Sequence, residues 1–127
     1  MAAQERVGTK RLVVGAHYGT LDFIVQRITA VIMAVYTLVL FFGFIFTPEM
    51  NFESWQRLFT FHLGSIPAGQ LLATLAFFSL SWHAWIGARD ILMDYAKPAG
   101  VRLFTEVLAA LWVIGSVVYF AKILWSL

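Results

Sequence analysis

The sequence predicts an all-α integral membrane protein with three transmembrane helices. Of its 127 residues, 61% are hydrophobic and only 13% are charged, whereas soluble domains carry about 25% charged residues. So few polar side chains cannot cover the surface of a water-soluble globule of this size, and a bilayer is therefore the expected solvent. Three apolar stretches are separated by polar segments, and each is long enough to cross a hydrocarbon core of roughly 30 Å. The length allows a single membrane-anchor domain, residues 1–127.

The first transmembrane helix is predicted over residues 27–46. Residues 28–46 contain no charged side chain, and a helix of that length nearly matches the thickness of the hydrocarbon core. Residues 1–26 are predicted to form a polar, basic leader that is partly helical near the membrane. This segment is not expected to be a secretory signal, because the apolar run that follows it begins too late and is too long.

The second helix is predicted over residues 67–96 and the third over residues 103–125. In the second, His83 is the one ionisable residue of the apolar part, and polar residues continue the helical register until Pro98 stops it. In the third, Lys122 lies near enough to the end for its ammonium group to reach the interface.

Lysine and arginine are distributed unevenly between the two sides of the membrane. The leader, the start of the first helix and the second loop contain seven of these residues, namely Arg6, Lys10, Arg11, Arg27, Arg89, Lys97 and Arg102. The first loop and the C-terminal tail contain only two, Arg57 and Lys122. The positive-inside rule therefore predicts a cytoplasmic N-terminus and a C-terminus on the opposite side.

The chain contains no cysteine. Disulfides, thiolate-bound iron–sulfur clusters and covalently attached c-type haem are therefore excluded. Any redox cofactor would have to be bound by histidine or without covalent attachment. The formal net charge of +2 is small, and no nucleic-acid partner is expected.

The second predicted helix carries a polar stripe. Ser79, His83, Gly87, Asp90 and Asp94 fall on one face at 100° per residue. Because a polar stripe facing lipid is costly, this face is expected to lie against protein or a cofactor. The glycine would let a flat ring or another helix approach the backbone closely.

His83 has two interpretations. It could be an axial haem ligand inside a helical bundle, or it could form a hydrogen bond to a neighbouring helix. His17 and His62 lie outside the predicted spans and are expected to be surface or interface residues. A haem with two histidine ligands would therefore need its second ligand from a partner subunit.

Two further positions also have alternatives. Arg27 could extend to lipid phosphates at the start of the first helix, or it could turn inward to pair with an anionic group such as a haem propionate. Asp94 and Tyr95 could be an ordinary helix end with an interfacial aromatic residue. Alternatively, the tyrosine hydroxyl could donate to a ligand carbonyl while the neighbouring acid orients it.

Two blocks of the sequence are specific enough to compare with known families. One is His83-Ala84-Trp85-Ile86-Gly87, followed by Asp94-Tyr95, Lys97-Pro98 and Arg102-Leu103. The other is Asp22-Phe23-Ile24-Val25, followed by Arg27 and Thr29-Ala30. Both resemble the hydrophobic membrane anchor subunit of bacterial succinate dehydrogenase (respiratory complex II), in its smaller, D-type form. The resemblance spans nearly the whole chain, although the first loop and the third helix match in hydropathy alone.

This resemblance implies roles for four residues. His83 would be an axial ligand of the iron of a haem b, and the other axial histidine would come from a companion C-type cytochrome b anchor subunit. Tyr95 would hydrogen-bond a carbonyl oxygen of ubiquinone, with Asp94 as the acid beside it. Arg27 would lie near the haem propionates.

The resemblance also implies the partners and the activity. A flavoprotein subunit would oxidise succinate, and an iron–sulfur subunit would pass electrons to ubiquinone at the cytoplasmic face of the bacterial inner membrane. The chain, packed with the second anchor subunit into a helical bundle, would be non-catalytic alone but would link the tricarboxylic acid cycle to electron transport. The alternatives are a fumarate reductase anchor working with menaquinol and a cofactor-free membrane scaffold.

Overall fold

The computed structural model describes residues 2–127, with side chains from residue 19 onward. It contains four α-helices: α1 (Ala2–Ile45), α2 (Phe52–Thr60), α3 (Ala68–Tyr95) and α4 (Ala99–Ser126). The predicted roles of Arg6, Lys10, Arg11 and His17 concern side chains that lie outside the described residues.

Three of the helices are long and apolar enough to cross a membrane. These are Gly19–Ile45, with 27 residues, and Ala68–Tyr95 and Ala99–Ser126, with 28 residues each. At 1.5 Å per residue they measure about 40 Å, so each can cross a core of roughly 30 Å even when tilted. The prediction of an all-α membrane protein with three spans is confirmed.

Helices α1 and α4 begin earlier than the apolar runs that predicted them, whereas α3 begins within one residue of its prediction. The backbone of α1 is already helical before residue 27, and α4 begins at Ala99, directly after Pro98. Helix propagation explains the difference, because each added residue gains one backbone hydrogen bond whether or not its side chain is apolar. Hydropathy finds the part of a helix that lies in lipid, not the ends of the helix itself.

The first loop contains structure that the sequence analysis did not predict. Asn51 caps α2 by accepting a hydrogen bond from the Ser54 amide, and the Ser54 hydroxyl accepts one from the Asn51 amide. Leu63 and Ile66 then pair across a tight turn in which Gly64 has a φ of +66°. That left-handed conformation favours glycine because it has no Cβ. The loop is therefore a short capped helix and a turn that lead into α3.

Helix α3 lies between the other two spans. Its buried residues are mostly small: Ala68, Gly69, Ala73, Ala76, Ser79, Ser81 and Ile86. Small side chains allow close approach of helix backbones, which is the usual basis of helix association in membranes. Helix α1 packs on one side of α3 and α4 packs on the other.

Helix α4 makes a ring stack and hydrogen bonds to α3 in its C-terminal half. The rings of Phe77 and Phe120 stack with centroids 4.0 Å apart. The Trp125 indole donates to the Thr74 hydroxyl at 3.2 Å, close to the end of the chain. No residue of α4 was predicted to form part of a site, and these contacts give the helix a packing role.

Most of the large apolar side chains are exposed on the isolated chain. Trp112 is 79% exposed and Phe104 is 65% exposed, and similar residues cover the outer faces of α1 and α4. Apolar surface this extensive is stable only against lipid or another protein. The chain therefore has an outer surface suited to a bilayer and to partner subunits.

Candidate functional site

The contact between α1 and α3 contains a hydrogen bond to His83 and an ion pair. We call it the α1–α3 seam and define it by Asp22, Gln26 and Thr29 on α1 and by His83 and Arg89 on α3. The first three are spaced four and three residues apart and so lie on one face of α1. Thr29 contacts His83 and Asp22 contacts Arg89, which makes the two helices antiparallel.

His83 forms a hydrogen bond within this seam. Its Nδ1 lies 3.1 Å from Oγ1 of Thr29. The threonine is 8% exposed, whereas the histidine is half-buried. The interhelical hydrogen bond considered as one interpretation of His83 is therefore present. It occupies one ring nitrogen and leaves Nε2 as the atom through which the same imidazole could bind a metal.

An ion pair closes the seam toward the Pro98 end of the molecule. The Arg89 guanidinium donates to the Asp22 carboxylate, and the two side chains are 33% and 37% exposed. Within the seam, Nε of Arg89 and Oε1 of Gln26 are buried and have no hydrogen-bond partner among the described residues. Buried polar groups are normally hydrogen-bonded, so this end of the seam has two polar atoms that none of the described residues satisfies.

The surface beside His83 is open enough for a planar group. Gly87 lies one turn from His83, and a Cβ added there would meet no atom within 4 Å. No cluster of three or more histidine or acidic side chains among the described residues could bind a bare metal ion. Haem iron needs only one axial ligand from a chain. A half-buried histidine with a free Nε2 beside an open glycine therefore fits a haem.

Asp94 and Tyr95 lie at the C-terminal end of α3. Tyr95 is the last residue of the helix and is 81% exposed, and Asp94 is also exposed. The helix is continuous from His83, so Tyr95 lies about 18 Å further along its axis. The Asp–Tyr pair is thus separated from the histidine by more than half the hydrocarbon thickness and is open to any partner that packs there.

Arg27 does not face the seam. It is two residues from Thr29, which places the two side chains about 200° apart around α1. Its guanidinium lies over the Phe23 ring, 4.4 Å from the centroid, and the side chain is exposed. An anionic group could therefore reach Arg27 only from the outer face of α1.

The polar stripe predicted on α3 divides between two environments. Ser79 is buried and His83 is bonded to α1, whereas Asp90 and Asp94 are exposed. At His83 the stripe faces protein within the chain itself, because Thr29 of α1 contacts the imidazole. Thr29 was quoted only as part of a sequence block, and nothing in its local pattern indicates which helix its hydroxyl would face.

The ion pair between Asp22 and Arg89 was also not predicted. The two residues are 67 positions apart, on separate helices. A signal was available, since the orientation analysis placed both residues on the same side of the membrane. Opposite charges at one depth are candidates for pairing, but their rotation about each helix axis cannot be read from one sequence.

Three apolar spans, with polar contacts between helices and a polar helix end, define the subunit of a membrane protein complex as the class to which the chain is suited. Comparison with known proteins agrees with this class. Residues 1–122 match the family described as succinate dehydrogenase/fumarate reductase transmembrane subunit. A similar protein is the succinate dehydrogenase hydrophobic membrane anchor subunit of Coxiella burnetii (strain RSA 493 / Nine Mile phase I). It is 33% identical over 107 residues, which cover 84% of this chain and 89% of the relative.

The chain therefore belongs to the succinate dehydrogenase/fumarate reductase transmembrane subunit family. The family resemblance predicted from the two sequence blocks is confirmed. As a membrane anchor subunit of such a complex, the chain works with other subunits and in a membrane.

Proposed function

We propose that this chain is the D-type anchor of a succinate:ubiquinone oxidoreductase, in which His83 binds haem b and Tyr95 with Asp94 forms part of the ubiquinone site. The observation that carries the proposal is the His83 imidazole, bonded through Nδ1 at 3.1 Å, with no hydrogen bond to Nε2 from any described residue. The succinate dehydrogenase name of the Coxiella burnetii relative favours this direction of reaction over fumarate reduction.

The haem site takes one ligand from this chain and one from a partner. Of the two histidines whose side chains the structure describes, His83 lies inside a span, whereas the exposed His62 lies in the loop between α2 and α3. The second axial histidine is assigned to the C-type anchor subunit, which would cover the open surface at Gly87. A bound haem b would supply one-electron transfer. Arg27 could approach a propionate only if the cofactor reaches the outer face of α1.

The quinone site is formed at the end of α3. Reduction of a quinone adds two electrons and two protons, and each carbonyl oxygen becomes a hydroxyl. The Tyr95 hydroxyl can donate a hydrogen bond to one carbonyl oxygen and so favour charge arriving there. The adjacent Asp94 carboxylate can orient that hydroxyl or relay a proton. The 81% exposure of Tyr95 leaves it accessible to a quinone and to the subunits that would close the pocket.

The positive-inside rule supports the proposed location of the site. Arg27, Arg89, Lys97 and Arg102 lie toward the Pro98 end of the bundle, whereas Arg57 and Lys122 lie toward the other end. The rule therefore favours the cytoplasmic face as the location of Tyr95. The iron–sulfur and flavoprotein subunits would dock at that face and deliver electrons close to the quinone.

A spectroscopic experiment tests the haem assignment. The complex is purified in mild detergent through a tag on this chain, and its dithionite-reduced spectrum is recorded for the wild type, His83→Leu and His62→Leu. The expected result is a b-type band in the wild type and in His62→Leu, with loss or a marked shift in His83→Leu. A wild-type complex without the band, or an unchanged band in His83→Leu, would support the cofactor-free scaffold.

A separate experiment tests the quinone assignment. Tyr95→Phe removes the hydroxyl and keeps the ring, and Tyr119→Phe on α4 is the matched control. Tyr95→Phe is expected to lower quinone reduction at least tenfold, which is about the effect of losing one hydrogen bond to a developing charge. Dye-linked succinate oxidation should persist, because the dicarboxylate chemistry takes place in another subunit. Equal quinone turnover in the Tyr95 and Tyr119 variants would refute the role.

The partner assignment is tested by the composition of the purified complex. The same preparation should contain a flavoprotein, an iron–sulfur protein and a second hydrophobic anchor. Recovery of this chain without them, under conditions that preserve succinate oxidation in the membrane, would contradict the proposal.

A further inference from the structure

We infer that Thr29 is a positioning residue that fixes the tautomer and ring orientation of His83, by accepting a hydrogen bond from its Nδ1–H. The inference rests on the proposed function, since it assigns to Thr29 the task of presenting Nε2 to haem iron. It joins α1 to a site otherwise formed by α3 and the partner anchor.

The direction of the hydrogen bond follows from the proton of the threonine hydroxyl. A hydroxyl carries one proton and can accept through its lone pairs. Oγ1 of Thr29 lies 2.8 Å from the carbonyl oxygen of Val25 and 3.1 Å from that of Gln26. Both carbonyls can only accept, so the hydroxyl proton is directed to them. Toward His83, 3.1 Å away, the oxygen is then an acceptor, and Nδ1 carries the proton.

The tautomer decides whether the imidazole can bind a metal. A neutral imidazole has one protonated and one unprotonated nitrogen, so a proton on Nδ1 leaves the lone pair on Nε2. The reverse tautomer, with the proton on Nε2, could not bind iron through that atom. Hydrogen bonding of the second nitrogen is the usual way in which proteins orient a ligating histidine and raise its basicity.

Burial and a neighbouring ion pair hold Thr29 in this arrangement within the α1–α3 seam. The residue is 8% exposed, so water does not compete strongly for its hydroxyl. Two turns away, Asp22 and Arg89 pair the same two helices, which fixes their relative position. Other threonines on the membrane helices form the same local bond to a carbonyl four residues earlier, as Thr37 does to Met33 at 2.8 Å, but Thr37 is exposed. Thr29 combines that local bond with a contact to a histidine.

The experiment compares three variants in the purified complex. Thr29→Val keeps the shape and removes the hydroxyl, Thr29→Ser keeps the hydroxyl, and Thr37→Val removes an equivalent hydroxyl away from His83. For each, haem content, the reduction midpoint potential and the ferric electron paramagnetic resonance spectrum are measured. Subunit composition is checked on the same samples.

Thr29→Val is expected to raise the midpoint potential, because a ligand that loses basicity stabilises the ferric iron less. At the wild-type midpoint potential the ratio of reduced to oxidised haem should rise about two- to fivefold, within the range of one neutral hydrogen bond. Loss of haem from an intact Thr29→Val complex would support the inference equally. Thr29→Ser and Thr37→Val should match the wild type.

Two results would overturn the inference while leaving the proposed function intact. One is a wild-type potential and spectrum in Thr29→Val. The other is the same change in Thr29→Ser as in Thr29→Val, which would mean that packing at this position, and not the hydroxyl, causes the effect. If the wild type itself lacks the b-type band, the haem assignment fails, and this inference fails with it.

Discussion

Replacing Gly69 by alanine would place a methyl group against the backbone that connects α2 to α3. A Cβ at this position would lie 2.6 Å from the amide nitrogen of Phe61 and 2.8 Å from the carbonyl oxygen of Phe59. The Gly69 amide also donates to the Phe61 carbonyl at 2.8 Å, which fixes the two segments together. Backbone atoms cannot turn aside as a side chain can, so the whole segment would have to shift.

The size of the effect can be estimated from opposing terms. Forcing extra atoms into a packed site costs about 1–3 kcal/mol. Alanine is favoured over glycine inside a helix by about 0.5–1 kcal/mol, and by less at the second residue of α3. The net loss should be about 1–2 kcal/mol, or a 5- to 30-fold change in the folding equilibrium.

The measurement is the free energy of unfolding in mixed detergent micelles, followed by circular dichroism. Gly115→Ala is the matched control, because a Cβ on that helical glycine meets no atom within 4 Å. It should be neutral or slightly stabilising. Equal stability of the two variants would refute the reasoning, since it would mean that the α2–α3 connection adapts to the methyl group without cost.

The remaining predictions concern the seam, the cofactor surface and the turn before α3. Asp22→Asn and Arg89→Gln, measured singly and together in a double-mutant cycle, should show a coupling energy of about 0.5–1 kcal/mol. The coupling energy should fall with added salt, because both side chains are partly exposed. A coupling energy of zero would contradict the pairing. Gly87→Ala should leave the stability of the chain unchanged or slightly raised, because a Cβ at this helical position meets no atom within 4 Å. It should lower haem content in the complex, because the methyl group would occupy space that we propose is filled by haem and the partner subunit; full haem content would argue that nothing packs there. Gly64→Ala should destabilise the chain by about 1 kcal/mol, because its φ of +66° disfavours any Cβ, and an unchanged free energy of unfolding would count against that strain.

The number and type of the elements could be predicted from the sequence because they depend on local properties. A run of apolar side chains in lipid must be helical, since each backbone polar group has to be satisfied within its own segment. The three spans followed from that rule, and Pro98 marked the boundary between the last two. Helix α2 escaped prediction because it is short and amphipathic, and its cap at Asn51 was not recognised.

Three residues of the candidate site, His83, Asp94 and Tyr95, were identified from the sequence, whereas the contacts of the α1–α3 seam were not. His83 stood out because an ionisable residue in an apolar helix is costly, and the block around Asp94 and Tyr95 was recognised by resemblance. The rotation of α1 about its axis decided which of its polar side chains face α3. It turned Thr29 toward the histidine and Arg27 away from it, although the two are only two residues apart.

By itself, the sequence determined that the chain is a three-span membrane protein and to which family it belongs, and it singled out the side chains that are candidates for its site. Only the tertiary structure decided that α3 lies between α1 and α4, that Asp22 pairs with Arg89, and which nitrogen of His83 is occupied. The physical reason is that hydropathy and helix formation act within a segment. The partner of a polar side chain, in contrast, depends on how helices distant in sequence turn and slide against each other.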